Sequence, residues 1–136
     1  LVDAFDKVGL SISDIIPNII AATEVAIDYD HKDLGTVLVD IGKNQTSYVI
    51  YEDGYPLGYG TIPMGGEDVT KDISIGMQVD IKEAEEIKKT HGMAMLAEGI
   101  KSDSQLDLAF LAEIINARYE EIFLKVNQHL ERIEKD

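Results

Sequence analysis

One stretch of the sequence leaves little choice of fold. Leu108, Leu111, Ile115, Tyr119, Ile122, Val126, Leu130 and Ile133 follow one another in steps of three and four. That spacing puts them on one face of an α-helix running for roughly seven turns. A helix with a single apolar stripe needs another layer to cover it. Segments upstream can supply one. Residues 36–41 are almost wholly apolar (Val37, Leu38, Val39), as in a strand buried on both faces. Residues 46–51 are rich in β-branched and aromatic side chains. Asp53-Gly54 is a two-residue hairpin signal, because both residue types tolerate positive φ. Residues 55–62 form the returning strand, with Pro56 near its start. The expectation is an α/β fold: a three-stranded antiparallel meander, then helices, the last one long.

The remaining segments are shorter. Residues 2–8 read as an amphipathic helix stopped by Gly9. Residues 11–17 (Ile12, Ile15, Ile16) read as a strand or strand-like crossover. Asn18 is placed to cap a helix over 19–27, and the polar run 28–33 reads as a loop. After a break at Gly65-Gly66, helices are expected over 68–73 and 81–91, while 92–104 carries no clear pattern.

Charge and composition remove several function classes. The 136 residues carry a net charge of −14. A nucleic-acid binder needs a basic face, and so does a polybasic membrane-surface protein. No cysteine is present, which excludes disulfides, zinc-thiolate sites and thiol nucleophiles. No apolar run approaches the ~20 residues of a membrane-spanning helix. His31, His91 and His129 show no metal-ligand spacing. The chain opens at Leu1 in a helical pattern and closes on a charged helix, so we expect a piece of a longer protein.

Three segments can carry chemistry. In Asp40-Ile41-Gly42-Lys43-Asn44-Gln45-Thr46, a carboxylate ends a strand just before a glycine-containing turn. Such a carboxylate can hold Mg²⁺ or orient water, and turn amides can face an anion. A plain β-turn reads equally well. Gly65-Gly66 before a helix start can bring backbone amides to a phosphate. It also reads as an ordinary strand-to-helix turn, with Glu67 and Asp68 favouring the positive helix end. Glu85 and Lys88 share a helix face and either grip a ribose or form a solvated ion pair.

The order of these segments is more specific than any one of them. Asp33-Leu34-Gly35 leads into Val39-Asp40-Ile41-Gly42; Val69-Thr70-Lys71-Asp72-Ile73 follows, then Ala84-Glu85 through Ile87-Lys88 to His91-Gly92. Leu111-Ala112-Glu113-Ile114-Ile115 with Arg118-Tyr119 and Glu121 completes the series. This order resembles the second half of an actin-like ATPase, and looks most like the FtsA family of bacterial cell-division proteins. The resemblance covers nearly the whole chain. It implies a half-domain of the actin-like, ribonuclease H-like fold. Residues 1–32 would be the end of the first lobe with a crossover helix. Residues 33–136 would be part of the second lobe (subdomains 2A and 2B), without the adenosine motif.

The resemblance also implies ATP and Mg²⁺ as ligands of the intact parent. Asp40 would serve as catalytic and metal-organising carboxylate. Gly42, Lys43, Asn44, Gln45, Thr46, Gly65 and Gly66 would lie near the phosphates, and Glu85 and Lys88 near the ribose. The parent would polymerise, bind the tubulin-like FtsZ and reach the inner face of the cell membrane from the cytoplasm through segments not in this sequence. The fragment alone would be inactive, lacking half the cleft, and would self-associate through uncovered apolar surface. One departure stands out. Lys43, Asn44 and Gln45 occupy positions where the family pattern has Gly, Gly and Thr. Either Lys43 adds positive charge near phosphate, or the site is degenerate and the protein a nucleotide-independent scaffold. The Asp-x-Gly-x-x-x-Thr form is also similar to PilM, the pilus-assembly relative.

Overall fold

Strands β1 (Thr36–Ile41), β2 (Thr46–Glu52) and β3 (Tyr55–Ile62) form an antiparallel sheet in that spatial order. They belong to a computed structural model that describes residues 2–93 and 107–133. Asp40 sits opposite Ser47, and Ile41 opposite Thr46, at the start of the first turn. The second turn is the expected two-residue hairpin, with Asp53 at φ 50° and Gly54 at φ 78°. A register irregularity between Ile50 and Tyr51 lies just before it, opposite the stretch containing Pro56.

Alternation along β2 sends its side chains into two separate layers. Tyr48 joins Ile62, Met64, Ile122 and Val126 beneath the long helix α6 (Leu108–Ile133). Val49 and Tyr51 meet Ile19 of α2 (Asn18–Ala26) on the opposite face. A third cluster lies beyond the sheet. There Val69 and Ile73 of α4 (Gly66–Met77), Ala84 of α5 (Ile81–His91) and Leu111 and Ile115 of α6 pack together. Each fully buried Ile or Leu stabilises the fold by about 1.5–3 kcal/mol. Arg118 then fastens α6 to α4. Its Nε and Nη2 donate to the two oxygens of Asp72 at 2.6 and 2.9 Å.

Five local expectations are corrected. Residues 28–33 are not a loop: α3 (Tyr29–Leu34) forms there, capped by Asp28, which accepts from the His31 amide. That hydrogen bond holds the Asp28 carboxyl below its usual range. Lys32, on α3, is largely buried, with its ammonium on Glu24 and over the Tyr51 ring. Residues 11–17 form no strand, because none of the three described strands pairs with them, and Ile15 and Ile16 are exposed. Asn18 begins α2 rather than capping it; Pro17 holds the cap position without a side-chain bond. β1 is partly exposed along its length, not buried on both faces, because it is an edge strand of the described sheet. The helix read at 2–8 is shorter, α1 (Val2–Asp6), with Gly9 at φ 74° after it. Most of 92–104 lies outside the described residues.

Candidate functional site

The turn between β1 and β2 is closed by the Gly42 amide donating to the Gln45 carbonyl at 2.9 Å. Two of its carbonyls face another element. The Gly66 amide donates to Gly42 at 2.9 Å, and the Glu67 amide to Lys43 at 2.8 Å. A helix N-terminus carries unsatisfied donors and partial positive charge, so it attracts such carbonyls. The start of α4 therefore grips the turn. Gly65 makes the grip possible, since a Cβ there would lie 2.4 Å from the Gly42 oxygen and 2.6 Å from that of Lys43. Its own amide donates to Asp68 Oδ2 at 3.0 Å, which holds the Asp68 carboxyl below its usual range. Gly66 has room for a Cβ, so the two glycines have different roles.

These bonds revise one expectation. The amides of Gly65, Gly66 and Glu67 are engaged by Asp68, Gly42 and Lys43, so in this arrangement they hold the turn rather than face an anion. Thr46 lies beneath the turn. It is fully buried, and its hydroxyl donates to the Met64 carbonyl at 2.9 Å, so it braces the turn from beneath. Among the described residues, the amides of Lys43, Asn44 and Gln45 have no protein acceptor, and all three residues are exposed. No residue of this turn has positive φ, so Lys, Asn and Gln sit there without backbone strain.

A cleft of about 850 Å³ opens beside the turn. Gly42, Lys43, Gly66, Thr70, Glu85 and Lys88 are among its lining residues. Lys88 donates to the Gly66 carbonyl at 2.9 Å and the Thr70 hydroxyl at 2.7 Å, and pairs with Glu85 Oε2 at 2.7 Å. All three of its N–H donors are thereby engaged. Thr70 Oγ1 in turn donates to Glu85 Oε2 at 2.5 Å. Lys88 and then Thr70 pull the Glu85 carboxyl down to a pKa of about 2. The cleft edge also carries Lys43, Lys82 and Lys89, making four lysines against three glutamates in a strongly acidic chain.

Asp40 stands apart from this group. It is exposed and opposite Ser47, and Gln45 Nε2 contacts the Ser47 hydroxyl at 3.5 Å. Neighbouring Val39 and Ile41 belong to the α6 side, so alternation puts Asp40 on the other face. The structure thus unites Gly42, Lys43, Gly66, Glu85 and Lys88 around one cleft. It leaves Asp40 around the corner, and Gly65 and Thr46 behind as supports. Thr70, which was not singled out as a site residue, lies at the centre. Its signal was a threonine one helical turn beyond Gly66, on the face that α5 covers.

The family model for the cell division protein FtsA matches residues 37–121, from β1 well into α6. The chain belongs to the FtsA family. The FtsA of Bacillus subtilis is 34% identical over 142 residues, covering 96% of this chain and 32% of that protein. The chain thus spans about a third of the length of the curated relatives it matches. Among solved structures, MreB5 of Spiroplasma citri bound to ADP superposes with a TM-score of 0.75 at 18% identity, over 95% of this chain and 45% of that one. The PilM-PilN type IV pilus biogenesis complex gives 0.66 at 22%, over 98% and 35%. The fold is that of the actin-like ATPases.

The FtsA family and this fold suggest a bound nucleotide. The donor set suits one. Among the described residues three turn amides lack protein acceptors, a lysine-rich cleft adjoins them, and the exposed Asp40 lies one residue before the end of β1. Among the described residues no cluster of three His, Asp or Glu could hold a metal. A magnesium ion here would therefore rely on Asp40, phosphate and water. Also among the described residues, no helix is long and apolar enough to cross a membrane.

Proposed function

We propose that this segment is the phosphate- and ribose-facing part of a nucleotide-dependent, actin-like cell-division protein. In this reading residues 33–136 belong to its second lobe, and residues 1–32 lead in from the first. The whole protein self-associates into filaments and links an FtsZ-like partner to the inner face of the membrane. The single observation that carries the nucleotide reading is the grip of α4 on the β1–β2 turn. It uses the turn's carbonyls and leaves the amides of Lys43, Asn44 and Gln45 without acceptors among the described residues. Those amides and the Lys43 ammonium bind phosphate oxygens. Asp40 would hold magnesium through water. Glu85 and Lys88 meet the ribose side. Magnesium, when bound, neutralises phosphate charge. ATP acts as an assembly ligand, with weak hydrolysis, since hydrolysis needs charge stabilisation from both sides of the phosphates.

The test is Mg-ATP titration against the full-length protein and its Asp40→Ala variant, with and without EDTA. The wild type is expected to bind, and the variant to lose about tenfold or more. Chelation should bring the wild type down to the variant's level. Equal affinity in wild type and variant removes Asp40 from the site. No binding by either favours a second reading, a nucleotide-independent scaffold. That reading is motivated by the engagement of the Gly65, Gly66 and Glu67 amides within the protein.

A further inference from the structure

We propose that Thr70 is a positioning residue that fixes the Glu85 carboxylate for recognition of a ligand's vicinal hydroxyls, the ribose diol of the nucleotide. The proposal rests on the nucleotide reading above and deepens it. Thr70 is 3% exposed, and its hydroxyl is a two-way joint between α4 and α5. It donates to Glu85 Oε2 at 2.5 Å and accepts from Lys88 at 2.7 Å. A threonine hydroxyl has one proton, so donation to Glu85 excludes donation to the Gly66 carbonyl, 3.1 Å from Thr70, which Lys88 reaches at 2.9 Å. Glu85 Oε2 therefore receives two donors from within the protein. Among the described residues, Glu85 Oε1 meets only Lys89 at 3.3 Å, from a side chain that is 64% exposed. Oε1 is thus the oxygen left open to the cleft, on a carboxylate that stays ionised. An ionised carboxylate is a strong acceptor for neutral hydroxyl donors.

The grip on the turn does not pass through Thr70: Lys88 reaches the Gly66 carbonyl directly, and the Gly66 amide holds Gly42. Replacing Thr70 with valine keeps the shape and removes both hydrogen bonds. Oε2 then loses a donor, Lys88 gains a free N–H, and the carboxylate is no longer held in one orientation.

The experiment compares Mg-ATP with Mg-2′,3′-dideoxy-ATP, by calorimetric titration of the full-length protein. Wild type is expected to prefer ATP by about ten- to a hundredfold, the range for hydrogen bonds to a charged group. Thr70→Val should collapse that preference towards unity through weaker ATP binding, with dideoxy-ATP affinity little changed. Thr70→Ser, which restores the hydroxyl, should restore the preference, and Glu85→Gln should lower it as Thr70→Val does. Equal weakening of both nucleotides in Thr70→Val would make Thr70 a structural residue and overturn the proposal. An unaltered preference would overturn it as well. Nucleotide binding absent from wild type would instead bring down the nucleotide reading, and this inference with it.

Discussion

The sheet has two turns, one at each end, and their polar groups are arranged in opposite ways. At the Asp53-Gly54 hairpin the amides point home: Asp53 donates to the Asp33 carbonyl at 3.2 Å and Gly54 to Lys32 at 3.1 Å. Short helix α3 supplies those carbonyls from its last turn, and Gly35 at φ 93° lets the chain leave again. At the Gly42–Gln45 turn the carbonyls of Gly42 and Lys43 point home, onto α4, and three amides have no acceptor among the described residues. A hairpin whose donors are satisfied internally offers an anion nothing. One held by its acceptors keeps donors for a ligand. The direction in which a turn is anchored thus separates a purely structural corner from one suited to binding.

Breaking the anchor at the Gly42–Gln45 turn should have the largest effect. Gly65→Ala forces backbone atoms apart at two contacts, because no flexible side chain can yield there. A loss of about 3 kcal/mol in unfolding free energy is expected, together with loss of nucleotide affinity. Urea denaturation and titration of the variant check both. Normal affinity in a destabilised variant would uncouple the grip from binding. The matching change at the other turn is Gly54→Ala. Its Cβ would make only ordinary contact with Tyr29, so the cost comes from φ 78° alone. About 1 kcal/mol is expected, with nucleotide affinity unchanged. A parallel fall in affinity would erase the contrast between the turns.

The smallest effect concerns pH. Glu85 titrates near 2 in the folded chain against 4.5 ordinarily, because Lys88 and Thr70 favour its ionised form. A lowered folded pKa stabilises the fold above the unfolded value. That contribution should be full above pH 4.5 and disappear as pH falls towards 2. Because the group is partly exposed, solvent screening keeps the effect modest. Urea midpoints measured across this window should slope less in Glu85→Gln than in wild type. Identical slopes would remove the Thr70–Glu85–Lys88 network as a source of acid sensitivity.

Much of this arrangement was legible from spacing. The α6 stripe, the Asp-Gly hairpin and the three strands depend on local patterns that burial enforces, and they stand where the sequence placed them. Helix α3 was not legible. It is six residues long and has no apolar periodicity, and it depends on a cap, a buried lysine and two carbonyls given to a distant turn. Residues 11–17 illustrate the converse: isoleucines suggest a strand, but a strand needs a neighbour. At the candidate site, the glycines and the Glu85–Lys88 pair were visible because their chemistry lies in residue type and spacing. Which atoms of the Gly65-Gly66 corner face the turn is a matter of backbone direction, and no composition encodes it. Thr46 and Thr70 look alike in sequence, yet one hydroxyl braces a loop and the other joins two helices.

Helix α6 also has a mechanical side. Its 26 residues make a beam about 39 Å long. The C-terminal half is bolted to the sheet through Ile122 and Val126, and the N-terminal half to α4 and α5 through Leu111 and Ile115. Tyr119 touches both sets and sits where a fulcrum would. A tilt of about ten degrees there would carry each end through roughly 3–4 Å in opposite senses. A push on α4 and α5 would thus meet the same rigid element on which the sheet rests.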